Sequence, residues 1–359
     1  MSPNRVCGVL SIISLAALLR CGASEEPAGF SASNDAAVDV QQPVDASFGW
    51  PDADPDPEAG PGPSPGFDAG VDSGPPPTTC NGKTQGAGSS TLSLQSSGRT
   101  RTAILHVPAS YDPTKGTMLV LNFHGFGSAS WQQALLTRMS AESDARGFIV
   151  AYPEGIVTSW NAGDCCGTAW TDSVDDVRFA RDLLDALEER YCIDPRRVFA
   201  TGMSNGGFFA HRLACELSDR IAAIAPVAGV LGMNSCAPPR SVPVLHFHGT
   251  ADPIVPYGGG TPLVPQLGLG LNFKSVADTL EHWRKHNGCS AFEKQIYQKG
   301  DATCVEWPDC NGAASTVLCS IEGGGHTWPG GLAIPAGKTS QDLGATATML
   351  DFFDAHPMP

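Results

Sequence analysis

Runs of apolar residues alternate with amphipathic stretches along most of this chain, from residue 91 onward. Polar–apolar alternation over residues 91–108 predicts an antiparallel hairpin. Continuous apolar runs predict buried strands, and apolar positions three and four residues apart predict helices. The strands are predicted at residues 118–123, 148–152, 197–201, 242–247 and 316–321, with a strand or a buried segment at 221–227, and the helices at residues 131–145, 174–191, 205–217, 272–287 and 341–355. This alternation predicts an α/β domain with a mostly parallel central sheet and helices on both faces.

The first 23 residues have the pattern of an export signal. A positively charged start precedes an apolar stretch at residues 6–19, which is too short to span a bilayer comfortably. Cleavage after Ala23 would release the protein from the membrane. Alternatively, residues 18–21 (LLRC) resemble a bacterial lipobox, in which Cys21 would be lipidated and form a membrane tether, although Arg20 replaces the small residue expected there. Both routes predict an extracellular or cell-surface protein.

Residues 24–79 have the composition of a linker. They hold 11 Pro, 7 Gly and 11 acidic residues, with no Lys or Arg. Such a segment cannot bury enough apolar surface to offset its ordering entropy, so we expect an extended, disordered tether or a passive spacer. Most of the formal charge of −15 lies there, and residues 80–359 carry a net charge of only −6. The folded part therefore lacks the basic surface of a nucleic-acid-binding protein.

Ten cysteines follow the linker, and an even number in an exported chain predicts disulfides. Zinc is the alternative, but no C-x-x-C pair has a matching partner pair, so we expect no metal site. Adjacent Cys165 and Cys166 are expected to bond to different partners, because a vicinal disulfide strains the backbone. The ten are Cys80, Cys165, Cys166, Cys192, Cys215, Cys236, Cys289, Cys304, Cys310 and Cys319.

The pentapeptide from Gly202 to Gly206 (GMSNG) follows an apolar strand and opens a predicted helix. This is the context of a nucleophile elbow, in which a tight turn holds the central serine in a strained conformation. Glycine is needed on either side, because a side chain would strike the neighbouring strand and helix. Ser204 would then project from the carboxyl edge of the sheet, where ligands bind in such folds.

A serine nucleophile needs a base and an acid, which follow it in the order acid, then His, in this fold. We expect Asp252 to be the acid, because it ends the loop after the strand at 242–247. We expect His326 to be the base, because it lies in a glycine-rich loop after the last apolar strand. Asp301 and Asp309 are weaker candidates for the acid. His282, His286 and His356 are predicted to have no catalytic role.

The developing oxyanion needs backbone N–H donors. One should be the amide of Asn205, which follows the nucleophile. The other should come from the loop after the strand at 118–123, where glycines allow close approach to a substrate carbonyl, and we favour Phe126. His124, at the start of that loop, is read as structural. We expect no cofactor.

Several motifs occur together and in order: HGFGS, GFIVAYPEGI, ATGMSNGG, HGTADPIVPY and GGGHTWPGG. In these the chain resembles the polyhydroxybutyrate depolymerase-like and feruloyl esterase-like secreted esterases of the α/β-hydrolase superfamily, over residues 80–355. The resemblance implies an esterase domain at 80–359 that hydrolyses carboxylic esters with Ser204, Asp252 and His326. Tannase-like feruloyl esterases have a Cys beside both the catalytic Ser and the catalytic His, and neither is present here.

The natural substrate is left open between polyhydroxybutyrate-type esters and feruloyl or acetyl esters of polysaccharides, and we expect a monomer. Trp160 and Trp328 lie in motifs near the expected site and would form an aromatic wall for the substrate, or else pack in the core. Alternative functions are an acyltransferase or peptidase on the same fold, or a catalytically silent, surface-tethered binding module.

Overall fold

The computed structural model describes residues 64–67, 79–83, 86–262 and 271–359. The expected signal peptide, Cys21 and nearly all of the linker lie outside the described residues. Among the helices that the structure describes, none has the length and apolar composition needed to cross a bilayer.

The described strands form one sheet in the order β1-β2-β4-β3-β5-β6-β7-β10-β9-β8. They are β1 Gly88–Ser96, β2 Arg99–Val107, β3 Thr117–Phe123, β4 Ile149–Pro153, β5 Ile193–Met203, β6 Ala223–Val227, β7 Val244–Gly249, β8 Lys294–Lys299, β9 Ala302–Trp307 and β10 Thr316–Ile321. The helices are α1 Ser130–Thr137, α2 Met139–Arg146, α3 Gly167–Thr171, α4 Asp176–Arg190, α5 Asn205–Glu216, α6 Val276–His286 and α7 Ala345–Ala355.

The six central strands, from β4 to β10, are parallel to one another. The antiparallel hairpin β1–β2 extends one edge of the sheet, and β9 and β8 extend the other. The prediction of a mostly parallel sheet is therefore confirmed, and the sheet has the arrangement of an α/β-hydrolase.

Both faces of the sheet are buried, which explains why the central strands read as continuous apolar runs. Alternate residues of β3 face opposite sides: Leu119 and Leu121 pack in one apolar cluster, and Met118 and Val120 pack in the other. Helices α4, α5 and α6 contribute to the first cluster and α2 and α7 to the second. Helices thus cover both faces, as predicted.

Some predicted elements differ from the structure. The single helix expected at 131–145 is two short helices, because Arg138 between them has a left-handed φ of 50°. Helix α4 is capped by Asp175, whose carboxylate accepts from the amide of Arg178. The residues around Cys304 form the hairpin β8–β9, for which the sequence predicted no strands. This hairpin lies at the sheet edge with many exposed polar side chains, so its apolar pattern is weak.

One short part of the expected linker is ordered against the domain. The ring of Phe67 packs edge-on against Phe352 of α7, with centroids 5.3 Å apart. The hydroxyl of Ser64 hydrogen-bonds the carboxylate of Asp351 on the same helix. Residues 64–67 thus contact the domain, and the expected disorder of the linker stays a prediction.

All ten cysteines after residue 79 are paired. Four disulfides join cysteines distant in sequence: Cys80–Cys192, Cys215–Cys236, Cys289–Cys310 and Cys304–Cys319. Cys165 and Cys166 bond to each other. The expectation that they have different partners is wrong, because the other eight cysteines are used among themselves.

Candidate active site

Ser204 lies in a sharp turn between the end of β5 and the start of α5. Its backbone has φ 57° and ψ −123°, a region that non-glycine residues rarely adopt. A Cβ atom on either Gly202 or Gly206 would collide with the backbone around the carbonyl oxygen of Phe123 in β3. Strain of this kind persists only where the surrounding structure enforces it. The GMSNG sequence therefore forms the elbow that its position predicts.

Asp252 and His326 approach each other because each follows a central strand, β7 and β10, and these strands are neighbours. Nδ1 of His326 lies 2.7 Å from Oδ2 of Asp252. The other carboxylate oxygen, Oδ1, accepts hydrogen bonds from the backbone amides of Ile254 at 2.8 Å and Val255 at 2.9 Å. Both side chains are almost fully buried. Because a carboxylate only accepts, Nδ1 of His326 carries the proton and Nε2 is left with a free lone pair.

The charge on Asp252 is stabilised despite burial. Burial alone would raise the pKa of this carboxyl, but the charge and hydrogen bond of His326, with help from His248 and the amide of Val255, hold the pKa below its usual value. Asp252 is therefore ionised at neutral pH, which is the form that can orient an imidazole and stabilise its protonated state.

The loop that begins at His124 approaches Ser204 closely. A Cβ on Gly125 would lie 3.3 Å from Cβ of Ser204. Within the described residues no hydrogen-bond partner is found for the Phe126 amide, and the Asn205 amide belongs to the first turn of α5, where N–H groups have no intrahelical partner. Phe126 lines both pockets together with Ser204, so the amides of Phe126 and Asn205 are the candidate donors to an oxyanion.

His124 fixes the shape of this loop. Its Nε2 accepts from the amide of Gly155 at 2.9 Å, so its Nδ1–H donates to the carbonyl oxygen of Gly125 at 2.8 Å. Burial lowers the pKa of this imidazole, which keeps it neutral. The contacts are those of a structural residue.

Two pockets meet at Ser204, His326, Phe126 and Ile254. The larger has a volume of about 330 Å³ and is lined mostly by apolar side chains of α1 and of the loop after His326: Trp131, Leu135, Leu136, Leu332, Ile334 and Pro335. The smaller has a volume of about 40 Å³ and is lined by the Cys165–Cys166 disulfide, Phe208 and Phe273. An ester bond placed at Ser204 would therefore have an apolar pocket on one side and a narrow one on the other.

The tryptophans expected to face the substrate are in the core instead. Trp160 and Trp328 are completely buried and line neither pocket. The indole N–H of Trp160 donates to the carbonyl oxygen of His124, and that of Trp328 donates to Thr346. Of the two alternatives that the sequence left open, a substrate wall and core packing, both residues adopt core packing. The aromatic wall is made by Trp131, which is 51% exposed and which the sequence analysis missed.

The side chain of Asn205 also has a role that the sequence did not indicate. It pairs with the backbone of Trp160: Oδ1 accepts from the amide at 2.7 Å, and Nδ2 donates to the carbonyl at 3.0 Å. This pair attaches the 160–166 loop, and with it the disulfide of the small pocket, to the start of α5. Across the described residues, no group of three or more His, Cys, Asp or Glu side chains is placed to hold a metal ion.

The sheet order and the elbow define the chain as an α/β-hydrolase. Ser204 and His326 line one pocket, and Asp252 bonds His326. No family model matches the chain. It is 32% identical to "Putative esterase NocK" of Nocardia uniformis over 71% of this chain and 79% of that protein. It is 35% identical to feruloyl esterase B of Piromyces equi, over 63% of this chain but only 42% of that protein's length. The chain belongs to this family of carboxylic ester hydrolases.

A third relative agrees with this assignment, and one solved structure agrees with the fold. The chain is 27% identical to the bifunctional acetylxylan esterase/xylanase XynS20E of Neocallimastix patriciarum, over 62% of this chain and 31% of that protein. An acetyl xylan esterase from Aspergillus awamori matches the structure with a TM-score of 0.50 and 16% identity, over 66% of this chain and 94% of that one. At this identity the structural match bears on the fold alone.

Proposed function

We propose that the protein is an exported serine esterase that hydrolyses carboxylic esters of plant-wall polysaccharides through Ser204, His326 and Asp252. The observation that carries the proposal is the 2.7 Å bond between His326 and Asp252 beside a pocket that also contains the strained Ser204. The esterase family of the chain supports it.

We infer the reaction from the roles that the proposal gives to Ser204, His326 and Asp252. Nε2 of His326 takes the proton of the Ser204 hydroxyl as Oγ bonds to the ester carbon, and the carbonyl oxygen becomes an oxyanion held by the amides of Phe126 and Asn205. Nε2 then returns the proton to the alcohol oxygen as the carbon–oxygen bond breaks. Water repeats the sequence on the acyl-enzyme, which releases the acid and restores Ser204. Asp252 holds the proton of His326 on Nδ1 and stabilises the imidazolium.

The shape of the site favours a bulky apolar acyl group. A pocket of about 330 Å³ with aromatic and aliphatic walls gains little from an acetyl group and would leave sugar hydroxyls without partners. An aromatic acyl group such as feruloyl fills this space, and relatives of the chain are named feruloyl esterases. The sugar then leaves as the alcohol on the solvent side.

Export rests on separate observations. Five disulfides among the described residues fit an oxidising compartment. Residues 1–23 supply the export signal, and Cys21 would be lipidated if the LLRC sequence acts as a lipobox. Mass spectrometry of the mature N-terminus distinguishes a lipid-modified Cys21 from an unmodified start after Ala23.

A substrate panel tests the proposal. Methyl ferulate, acetylated xylan and polyhydroxybutyrate are assayed side by side, and we expect kcat/KM to be highest on methyl ferulate. Ser204→Ala should lower kcat by several orders of magnitude. Ser128→Ala is the control, because Ser128 lines the same pocket but is not in the elbow. A wild-type protein that hydrolyses none of these esters, nor short p-nitrophenyl esters, would contradict the esterase function.

A further inference from the structure

Two histidines of β7 lie beneath Asp252 and are not used by the reaction. His246 and His248 are fully buried, line neither pocket, and project from the face of the sheet that carries α5 and α6. Nε2 of His246 is 3.0 Å from Nδ1 of His248, and the two rings are nearly parallel. Nε2 of His248 is 2.8 Å from the carbonyl oxygen of Val255 and 3.5 Å from Oδ2 of Asp252.

The hydrogen-bond partners define the proton positions. A carbonyl oxygen only accepts, so Nε2 of His248 carries a proton and donates to Val255. Burial lowers the pKa of both imidazoles and keeps them neutral. Nδ1 of His248 therefore accepts, and Nε2 of His246 donates to it. Nδ1 of His246 is left as a bare lone pair, and the described residues include no partner for it.

This series of hydrogen bonds, from His246 through His248, ends at the turn that carries Asp252. Val255 receives the His248 hydrogen bond at its carbonyl oxygen and donates its own amide to Oδ1 of Asp252. The same Nε2 lies 3.5 Å from Oδ2, the oxygen that binds His326. His248 thus bonds the turn and also lies next to the carboxylate.

Burial of the polar His246–His248 pair has an energetic cost that apolar packing would avoid. Buried imidazoles require partners, and one nitrogen of His246 has none. Apolar side chains of similar volume would fill the same space beside Val244 and Val276 without this cost. What an apolar pair could not supply is the hydrogen bond to Val255 and the contact with Asp252.

We propose that His248, with its tautomer set by His246, is a positioning residue that holds the 252–255 turn so that Asp252 meets His326 in the catalytic geometry. The inference rests on the proposed serine esterase function. His248 touches neither the substrate nor the reacting atoms, and acts through Val255 and Asp252.

Leucine and glutamine substitutions at His248 test this role. His248→Leu removes the donor to Val255, and we expect kcat to fall about 10- to 100-fold, the cost of displacing a catalytic group by about 1 Å, with KM changed less than about threefold. His248→Gln keeps an N–H near the position of Nε2 and an oxygen that can accept from His246. We expect it to recover kcat to within about fivefold of wild type.

A matched control removes a buried imidazole elsewhere. His356 is also buried and bonds a backbone carbonyl, that of Phe352 at 2.7 Å, but lines neither pocket. His356→Leu should lower the melting temperature without a selective loss of kcat. If His248→Leu does not fold, His246→Leu is measured instead, because it leaves the Val255 hydrogen bond possible and removes only the group that sets the tautomer. We expect it to lose about 3- to 10-fold in kcat.

The outcomes separate the inference from the function on which it rests. Wild-type protein that hydrolyses no ester would overturn the proposed function. Active wild-type protein in which His248→Leu, or His246→Leu in its place, loses no more kcat than His356→Leu would overturn the positioning role alone. The same conclusion follows if His248→Gln is as impaired as His248→Leu. Selective loss of kcat in His248→Leu with recovery in His248→Gln supports the inference.

Discussion

Replacement of Asp252 by Asn changes one atom of the site and should reverse the proton arrangement of His326. The two carboxylate oxygens have different partners: Oδ1 accepts from the amides of Ile254 and Val255, and Oδ2 accepts from Nδ1 of His326. An amide keeps two of these bonds only if its oxygen faces the backbone amides. Its NH₂ group then points at His326, and Nδ1 must become the acceptor. The proton moves to Nε2, so the histidine can no longer take the proton of Ser204.

The expected magnitude follows from this change of tautomer. In a Ser-His-Asp site the Asp→Asn change costs about 10⁴-fold in kcat. That factor corresponds to about 5 kcal/mol of transition-state stabilisation. KM should change little, because Asp252 is buried and does not line either pocket. The assay is steady-state hydrolysis of p-nitrophenyl butyrate by folded protein, verified by thermal denaturation.

Asp301 provides the control, since it is the alternative acid that the sequence left open. In the structure it bonds Lys338 at 2.6 Å and the hydroxyl of Ser340, and it lines neither pocket. Asp301→Asn should keep kcat within about threefold of wild type, because only a half-exposed ion pair is lost. The reasoning is refuted if folded Asp252→Asn retains more than about a tenth of wild-type kcat, or if Asp301→Asn is equally inactive.

Three further results are expected. Trp131→Ala should raise KM for methyl ferulate about 3- to 10-fold, because one aromatic contact is lost. Trp170 is exposed but lies outside both pockets, so Trp170→Ala should leave KM unchanged. Equal KM values in the two variants would contradict the assigned pocket. Gly206→Ala should lower the melting temperature and abolish activity, because a Cβ there collides with the Phe123 carbonyl. Gly258→Ala should be tolerated, because a Cβ at that position meets nothing within 4 Å. A stable, active Gly206→Ala protein would argue against the elbow. The pKa of Asp252 lies below 3.8 in the folded protein, so its charge stabilises the fold above that pH, and this contribution is lost as the pH falls through the folded-state pKa. The free energy of unfolding of wild type should therefore fall relative to that of Asp252→Asn below pH 3.8. Parallel curves of unfolding free energy against pH would show that the charge is not stabilised.

The pattern of apolar residues was sufficient to predict the strands of the central sheet. Strands such as β3 and β7 are buried on both faces and read as unbroken apolar runs, whereas β8 is exposed at both ends and half-buried only at its two central residues. The break between α1 and α2 depends on the left-handed backbone conformation of a single residue, Arg138. An arginine side chain gives no indication of that conformation.

The site could be predicted as far as strand order determines it. Ser204, Asp252 and His326 each follow a central strand at the carboxyl edge, so their meeting follows from chain order in a parallel sheet. The direction of a side chain within a loop does not follow in this way. Trp160 lies in a motif expected near the site, yet its ring stacks on Phe209 with centroids 5.3 Å apart in the core.

Two further features depend on tertiary packing and could not be predicted from the local sequence pattern. Trp131 follows the oxyanion loop by a few residues and was read as one position of a helix, but the loop after His326 closes against it to make the large pocket. The pairing of Cys165 with Cys166 depended on which other cysteines the fold brings together.

The covalent modification of Ser204 tests the central claim most directly. The intact protein is treated with a fluorophosphonate, digested, and the modified peptide is identified by mass spectrometry. We expect one adduct, on Ser204, at a rate that falls in Asp252→Asn and vanishes in Ser204→Ala. An unlabelled wild-type protein, or an adduct on another residue that persists in Ser204→Ala, would contradict it.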